Sequence, residues 1–343
     1  MSSALEGAAR DRRRTPAWSN GRVMHLGLHV HAGLPLAVAA FALGIAVVVA
    51  ATERLVDGLL GIGLALGVAP FVVSAALSGM EVENVAVGLA AGARGSADVA
   101  LGTAYGGAVV LLCWALGLGA MVAPLRVRLP RVPVLLLPAS AVAAGLPAWF
   151  PATPRWTGAV LLIAFAAALA LLVRASRGHA FLHHEQVTGS AEEPPSLRWV
   201  IVWTLIGLAL IAAGGDLVAW GADGLVRTLG LSAGFIGMVV TPLGIEAEEI
   251  VRQVVPARRG RPDVAAGNAI GTVLWFLLFN LGLIALITPV SVPARVRALD
   301  WPTLVVAATL ASAFLLRGRL GRREGALLLA IGLAYAGLQL VVR

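Results

Sequence analysis

The sequence predicts an all-α integral membrane protein with ten transmembrane helices arranged as two inverted five-helix repeats. Three observations predict it. The chain of 343 residues is 59% hydrophobic and 13% charged, with a mean hydropathy of +0.89, whereas soluble proteins carry about 25% charged residues. Continuous apolar runs of membrane-spanning length recur along the whole chain. A gap-free internal repeat links residues 79–124 to residues 165 positions later.

Spanning a bilayer takes about 20 apolar residues as helix. Runs of this kind cover roughly 33–65, 69–92, 98–123, 131–150, 155–174, 198–229, 234–257, 263–288, 299–317 and 323–341. They are continuously apolar and do not alternate, which favours helices over a barrel. Residues 1–32 form a polar, basic N-terminal tail, and no short apolar segment with a cleavage site near Met1 suggests a removable signal peptide. Residues 33–174 make the first five-helix repeat, 175–197 the inter-repeat loop and 198–343 the second repeat. An odd number of helices per repeat makes the second enter from the opposite side of the membrane. That arrangement places a transporter's substrate between the repeats, near the midplane.

All 26 basic residues are arginine. They lie mainly in loops between apolar runs, a topology signal and not a nucleic-acid footprint. Thirteen collect on one side of the predicted bundle, which positive-inside reasoning makes cytoplasmic, with both termini outside. The composition points to the cell (plasma or inner) membrane, with the lipid bilayer and small inorganic cations as partners and no nucleic acid. Cys113 is the single cysteine, so an intrachain disulfide is excluded.

The repeat centres on Gly79-Met80-Glu81-Val82-Glu83-Asn84 and Gly244-Ile245-Glu246-Ala247-Glu248-Glu249. A carboxylate at the centre of a membrane helix costs about 2.5–3.5 kcal/mol on insertion scales, so intramembrane acids mark functional sites. Glu81, Glu83, Glu246, Glu248 and Glu249 are therefore expected to bind cation and proton in competition, with Asn84 beside them. Residues two apart point to nearly opposite helix faces. Glu81 and Glu83 reach one site only if the helix unwinds locally, for which Gly79 and Gly244 are placed. Unwound carbonyls plus carboxylates make a hard-oxygen cage for Ca2+, Na+ or a similar cation, with Glu81, Glu83, Glu246 and Glu248 as metal ligands. No His or Cys lies near either motif, which disfavours soft metals.

Asn84 is matched by Glu249, and Val87 by Arg252. Arg252 either neutralises Glu249 or enters the site as a built-in countercation. Thr103 and Asn268 are placed to supply neutral oxygens. Glycines 102, 106, 267 and 271 permit close helix packing. Asp98 and Asp263 open the third and eighth runs, where an acid suits a helix N-terminus. Glu53, Arg54 and Asp57 in the first run, and Asp216 and Asp223 in the sixth, are helix-interface pairs or line an access path.

The turn and glycine pattern Arg94-Gly95-Ser96-Ala97-Asp98-Val99-Ala100-Leu101-Gly102, with its partner Arg259-Gly260-Arg261-Pro262-Asp263-Val264-Ala265-Ala266-Gly267-Asn268, resembles the sodium/calcium exchanger (cation/Ca2+ antiporter) superfamily. The resemblance implies a ten-helix antiporter with no bound cofactor, carrying Ca2+ or Na+ and H+. Aligned from Asp98, the family's liganding Glu falls on Asn84 and on Glu249. Its Ser/Thr sodium ligands then fall on Met80, Glu81, Ile245 and Glu246, and its further polar ligand on Leu111 and Phe276. Counted from Gly79 or Gly244 instead, Glu83 and Glu248 fit the Gly-Asn-x-x-Glu spacing of calcium/proton exchangers. The implied activity is exchange of Ca2+ or a similar cation for H+ or Na+ by alternating access. The alternatives are a Na+/H+ antiporter, a passive cation channel, or an intramembrane protease suggested by Glu248-Glu249 and Arg252. The protease reading is weakened because all six histidines lie outside the apolar runs.

Overall fold

The computed structural model describes residues 33–65, 81–176, 197–246, 249, 253–254, 257–258 and 262–341. The N-terminal tail, most of the inter-repeat loop, Gly79, Glu248 and Arg252 lie outside the described residues, as do the side chains of Glu53, Arg54, Asp57 and Asp263.

Among the described residues the chain is almost entirely helical. In the first half α1 is Leu34–Ala65, α2 Val82–Ala93, α3 Ala97–Val122, α4 Arg131–Ala148 and α5 Arg155–Ser176. In the second, α6 is Leu197–Leu229 and α7 Ala233–Ile245. Next, α8 runs from Pro262–Leu274 through Trp275–Asn280 into Leu281–Ile287. The last two are α9 Val296–Leu316 and α10 Arg322–Val341. Seven of the described helices are long and apolar enough to cross a membrane. The chain is thus a multi-pass, all-α membrane protein, apart from two two-residue strands, β1 Leu125–Arg126 and β2 Arg319–Leu320, which pair antiparallel.

The middle of the bundle is α3 and α8, of which 78% and 67% is buried, against 22% for the spanning part of α5. Sequence patterning gives no hint of one feature they share. Both widen into π turns, at Val110–Ala115 in α3 and Trp275–Asn280 in α8, and these two turns coincide under the 165-residue offset. Such π turns often occur at functional sites. A further π turn, Ile236–Val240, lies just before Pro242 in α7. There the Thr241 hydroxyl donates to the Ile236 carbonyl at 2.9 Å. The widened turn thus accommodates a proline that has no N–H to give.

The repeat is visible in backbone contacts as well as in sequence. Val127 N–H donates to the Gly318 carbonyl at 3.1 Å, and Val292 N–H to the Pro151 carbonyl at 2.8 Å. The β1–β2 pairing of Arg126 with Arg319 has its counterpart in an isolated bridge between Ala152 and Ser291. Likewise a Cβ on Gly325 would lie 2.6 Å from the Gly117 carbonyl oxygen, and one on Gly158 2.5 Å from that of Gly282. Each first-half helix end therefore meets the second half as the second meets the first.

Glycines 102 and 106 behave as expected. A Cβ on Gly102 would sit 1.9 Å from the Gly237 carbonyl oxygen, and one on Gly106 2.4 Å from that of Met238, so α3 rests backbone to backbone on α7. The segment that Gly271 would face under the repeat offset, within residues 66–80, lies outside the described residues. At the α2–α3 turn, Gly95 takes φ +76°, a left-handed conformation that L side chains rarely adopt.

Candidate functional site

The two acidic segments sit at helix ends. Glu81 is the residue before α2, with φ −87° and ψ 71°, and Glu246 follows the last residue of α7, with φ −86° and ψ 10°. These two positions are equivalent under the repeat offset. The unwinding expected near Gly79 and Gly244 therefore falls on the glutamates themselves. Gly244 is helical and serves packing, because a Cβ there would come within 2.5 Å of Ile45 in α1. Just past the second of these ends the chain turns tightly, the Glu249 N–H donating to the Glu246 carbonyl at 3.0 Å.

The side chains are withdrawn from solvent: Glu81 is 2% exposed, Glu83 4%, Glu246 1%, and Asn84 and Glu249 0%. Asn84 Nδ2 donates to Glu246 Oε1 at 2.5 Å, which joins the first acidic segment to the second. Asn268 Nδ2 donates to Glu249 Oε2 at 2.8 Å. Asn84 and Glu249, which share one position in the repeat but differ in residue type, thus each take part in an amide–carboxylate hydrogen bond.

Thr103 is fully buried, but its hydroxyl donates to its own helix at Ala100, and it accepts from Asn280 Nδ2 at 3.1 Å. Leu111 and Phe276, at the positions of the superfamily's further polar ligand, are fully buried in the apolar core. Among the described residues no group of three or more His, Cys, Asp or Glu converges as a ready metal cage. Glu248, the fourth member of the expected four-carboxylate cage, lies outside the described residues.

Three polar groups escape the sequence reading. Gln253 and Asn280 are each 1% exposed, and Thr272 is fully buried. Their signal is available, as single polar residues inside apolar runs four or more positions beyond an acidic motif or its partner. A further omission concerns charge. Arg295 pairs with Asp98, and its Nε lies 3.4 Å from Asp300 Oδ2. Asp300, fully buried, also accepts from Tyr335 Oη at 3.0 Å and from Gln339 Nε2. Asp98 therefore does not cap its helix through its side chain, as expected, but holds the arginine that enters α9.

The sixth-run acids are interface groups. Asp216 accepts from Arg94 Nε at 2.6 Å, and Asp223 accepts from the Ser96 hydroxyl at 3.2 Å. Both tie α6 to the α2–α3 turn. The Asp216 hydrogen bond, aided by the charges of Asp216 and Asp223, raises the Arg94 pKa further above neutrality despite partial burial.

Against this geometry, the comparisons with known proteins are consistent. The family described as sodium/calcium exchanger protein matches residues 36–174 and 199–341. CaxA of Alkalimonas amylolytica, a candidate antiporter, is 34% identical over 128 residues, covering 37% of this chain and 40% of CaxA. The inner membrane protein YrbG of Escherichia coli K12 is 28% identical over 284 residues, covering 79% of this chain and 86% of YrbG. A vacuolar calcium ion transporter of Schizosaccharomyces pombe is 30% identical over 128 residues, covering 36% of this chain and 30% of the transporter. The match thus spans well under two thirds of CaxA and of the vacuolar transporter. Structures of the sodium-calcium exchanger NCX_Mj share the fold, with a TM-score of 0.55 at 22% identity over 89% of this chain and 98% of that one. The chain belongs to the sodium/calcium exchanger protein family.

Proposed function

We propose that this protein is a secondary cation antiporter of the cell membrane, exchanging Ca2+ or a similar hard cation for H+ or Na+ at one site between two inverted repeats. The single observation that carries this reading is the Asn84–Glu246 hydrogen bond, because it joins the acidic segments of the two copies in one buried place. The buried carboxylates of Glu81 and Glu246, at equivalent helix ends, supply the hard oxygen donors suited to such cations.

Two features support inversion. The equivalent helices α1 and α6 run antiparallel: Gly224 packs on Ala37, Gly221 on Phe41 and Gly214 on Val48. The β1–β2 pair and the Ala152–Ser291 bridge lie at opposite ends of α4. A helix of that length measures about 27 Å at 1.5 Å per residue, close to the thickness of the hydrocarbon layer. The ten-span plan follows if α1, α2 and α7 also cross the membrane beside the seven long helices.

In this reading Glu81, Glu83, Glu246, Glu248 and Glu249 exchange cation for protons. Carboxylates close together disfavour one another's ionised forms, so removal of the cation invites protons. Asn84, Thr103 and Asn268 hold the acids and their helices in register, and Arg252 offsets the extra negative charge of Glu249.

The test is Ca2+ uptake into proteoliposomes, driven separately by an imposed proton gradient and an imposed sodium gradient. Wild-type uptake under one gradient, lost in Glu246→Gln and Glu83→Gln variants that still fold, is the expected result. Uptake unchanged in both variants would sink the site, and uptake with neither gradient would sink Ca2+ as the cargo.

A further inference from the structure

The two halves handle one buried position in opposite ways. In the first half that position is Gly88, four residues beyond Asn84 on the same face of α2. A Cβ there would lie 2.6 Å from Thr103 Oγ1, 2.8 Å from Ile284 Cδ1 and 3.3 Å from Asn280 Oδ1. Asn280 fills the space, its Nδ2 donating to the Thr103 hydroxyl at 3.1 Å and to the Thr103 carbonyl at 3.2 Å. Its Oδ1, turned toward Gly88, has no hydrogen-bond partner among the described residues.

Under the 165-residue offset, Gly88 becomes Gln253, Asn280 becomes Ala115 and Ile284 becomes Gly119. The contact is preserved, since a Cβ on Gly119 would lie 3.1 Å from Gln253 Cβ. Large and small residues have changed sides. Where α2 offers glycine, its partner helices offer asparagine and isoleucine; where the second acidic segment offers glutamine, its partners offer alanine and glycine. The amide is kept through the exchange. Gln253 is 1% exposed, and neither of its amide atoms has a partner among the described residues. Packing alone does not call for this. Leucine or methionine would fill either space without burying unpaired polar atoms, a burial that works against folding.

Neutral amide oxygens are ligands for hard cations. Gly88 lies about one helical turn, about 6 Å along the axis, from Asn84, and Gln253 is four residues beyond Glu249. We propose that Asn280 and Gln253 are a pair of amide-oxygen stations for the transported cation, flanking the central carboxylates and each serving one face of the membrane. The proposal rests on the antiport reading above, and on inversion of the repeats for its sidedness.

The experiment measures 45Ca2+/Ca2+ self-exchange, which needs no counter-ion, in inside-out and right-side-out vesicles of the full chain. Asn280→Leu is expected to raise the half-saturating Ca2+ concentration about tenfold at one face, the effect of losing one ligand, with little change at the other. Gln253→Met is expected to do the reverse. Gly88→Gln, Asn280→Ala and Ile284→Gly combined rebuild the second-half arrangement in the first half, and are expected to return the affected face to near the wild-type value.

Equal effects at both faces, no effect at either, or an Asn280→Leu loss that the combined variant leaves unrepaired would each overturn the proposal. If Asn280→Leu does not fold, Gln253→Met carries the same two-sided test by itself. Absence of self-exchange in the wild type would overturn Ca2+ as the cargo and the stations with it, whereas wild-type exchange with the wrong sidedness overturns only the stations.

Discussion

The hydrogen bond from Asn84 to Glu246 can be weighed directly by a double-mutant cycle on unfolding in mixed micelles, using Asn84→Ala, Glu246→Ala and the pair. The two groups are 0% and 1% exposed and 2.5 Å apart, so neither has water to fall back on. Hydrogen bonds between neutral side chains inside membrane proteins average about 0.6 kcal/mol in such cycles. A bond to an ionised group contributes about 1.5–3 kcal/mol. An amide N–H aimed at a carboxylate oxygen is the charge-assisted case, and the expected coupling is about 1.5–3 kcal/mol. Glu246→Ala should cost more than this, because it leaves the Asn84 amide buried without the acceptor it bonds to. Additive single effects, with a coupling under about 0.3 kcal/mol, would refute the reasoning, since independent sites behave that way.

Three other perturbations separate tight from loose places in the fold. Gly102→Ala puts a Cβ 1.9 Å from the Gly237 carbonyl oxygen and is expected to cost about 1–3 kcal/mol or more, the range for overpacking, read as thermal stability in detergent. Arg94→Gln breaks a pair whose side chains are 38% and 54% exposed, so it should cost under about 1 kcal/mol, and the difference should vanish in high salt. Asp300→Ala strips a fully buried carboxylate from Arg295, Tyr335 and Gln339 and is expected to cost about 3–5 kcal/mol, whereas Tyr335→Phe removes one donor and should cost about 1 kcal/mol in the same measurement.

What the sequence discloses, and what it hides, follows from the kind of signal each feature leaves. Membrane helices are legible because apolar runs of spanning length need no partner to be recognised. The repeat is legible because glycines that admit a neighbouring backbone, such as Gly102 against Gly237, tolerate no replacement and keep their spacing. The π turns are not legible. Val110–Ala115 and, but for Asn280, Trp275–Asn280 are ordinary apolar residues that read as a regular helix. The helix end at Glu246 lies two residues beyond the glycine that suggests it, because Gly244 admits Ile45 instead of marking the flexible point. Asp98 reads locally as a helix-opening acid, and its partner Arg295 lies 197 residues away, where no local pattern reaches.

The one difference between the motifs that the sequence displays most plainly, asparagine at 84 against glutamate at 249, acquires a physical reason in the fold. A glutamate at position 84 would direct a carboxylate toward Glu246 across the 2.5 Å now bridged by an amide N–H, and two like charges so close oppose one another. Two identical copies could not meet there with all their acids ionised. The amide at 84 turns that repulsion into a bond and so lets the acidic segments close on each other. Glu249 keeps its acid because its donor comes from a different helix, Asn268 of α8. In the first half the equivalent of Asn268 is Thr103, whose hydroxyl is committed to the Ala100 carbonyl. Each half therefore provides an amide donor for one buried glutamate, but from a different helix. Exchanging the residues at 84 and 249 should consequently not be neutral. Asn84→Glu combined with Glu249→Asn keeps the composition of the site, yet it sets a second carboxylate against Glu246 and an amide against Asn268. The swapped protein is expected to be less stable in detergent than the parent. A swapped protein as stable as the parent would mean that the two halves are interchangeable and that these hydrogen bonds do not fix which residue stands where.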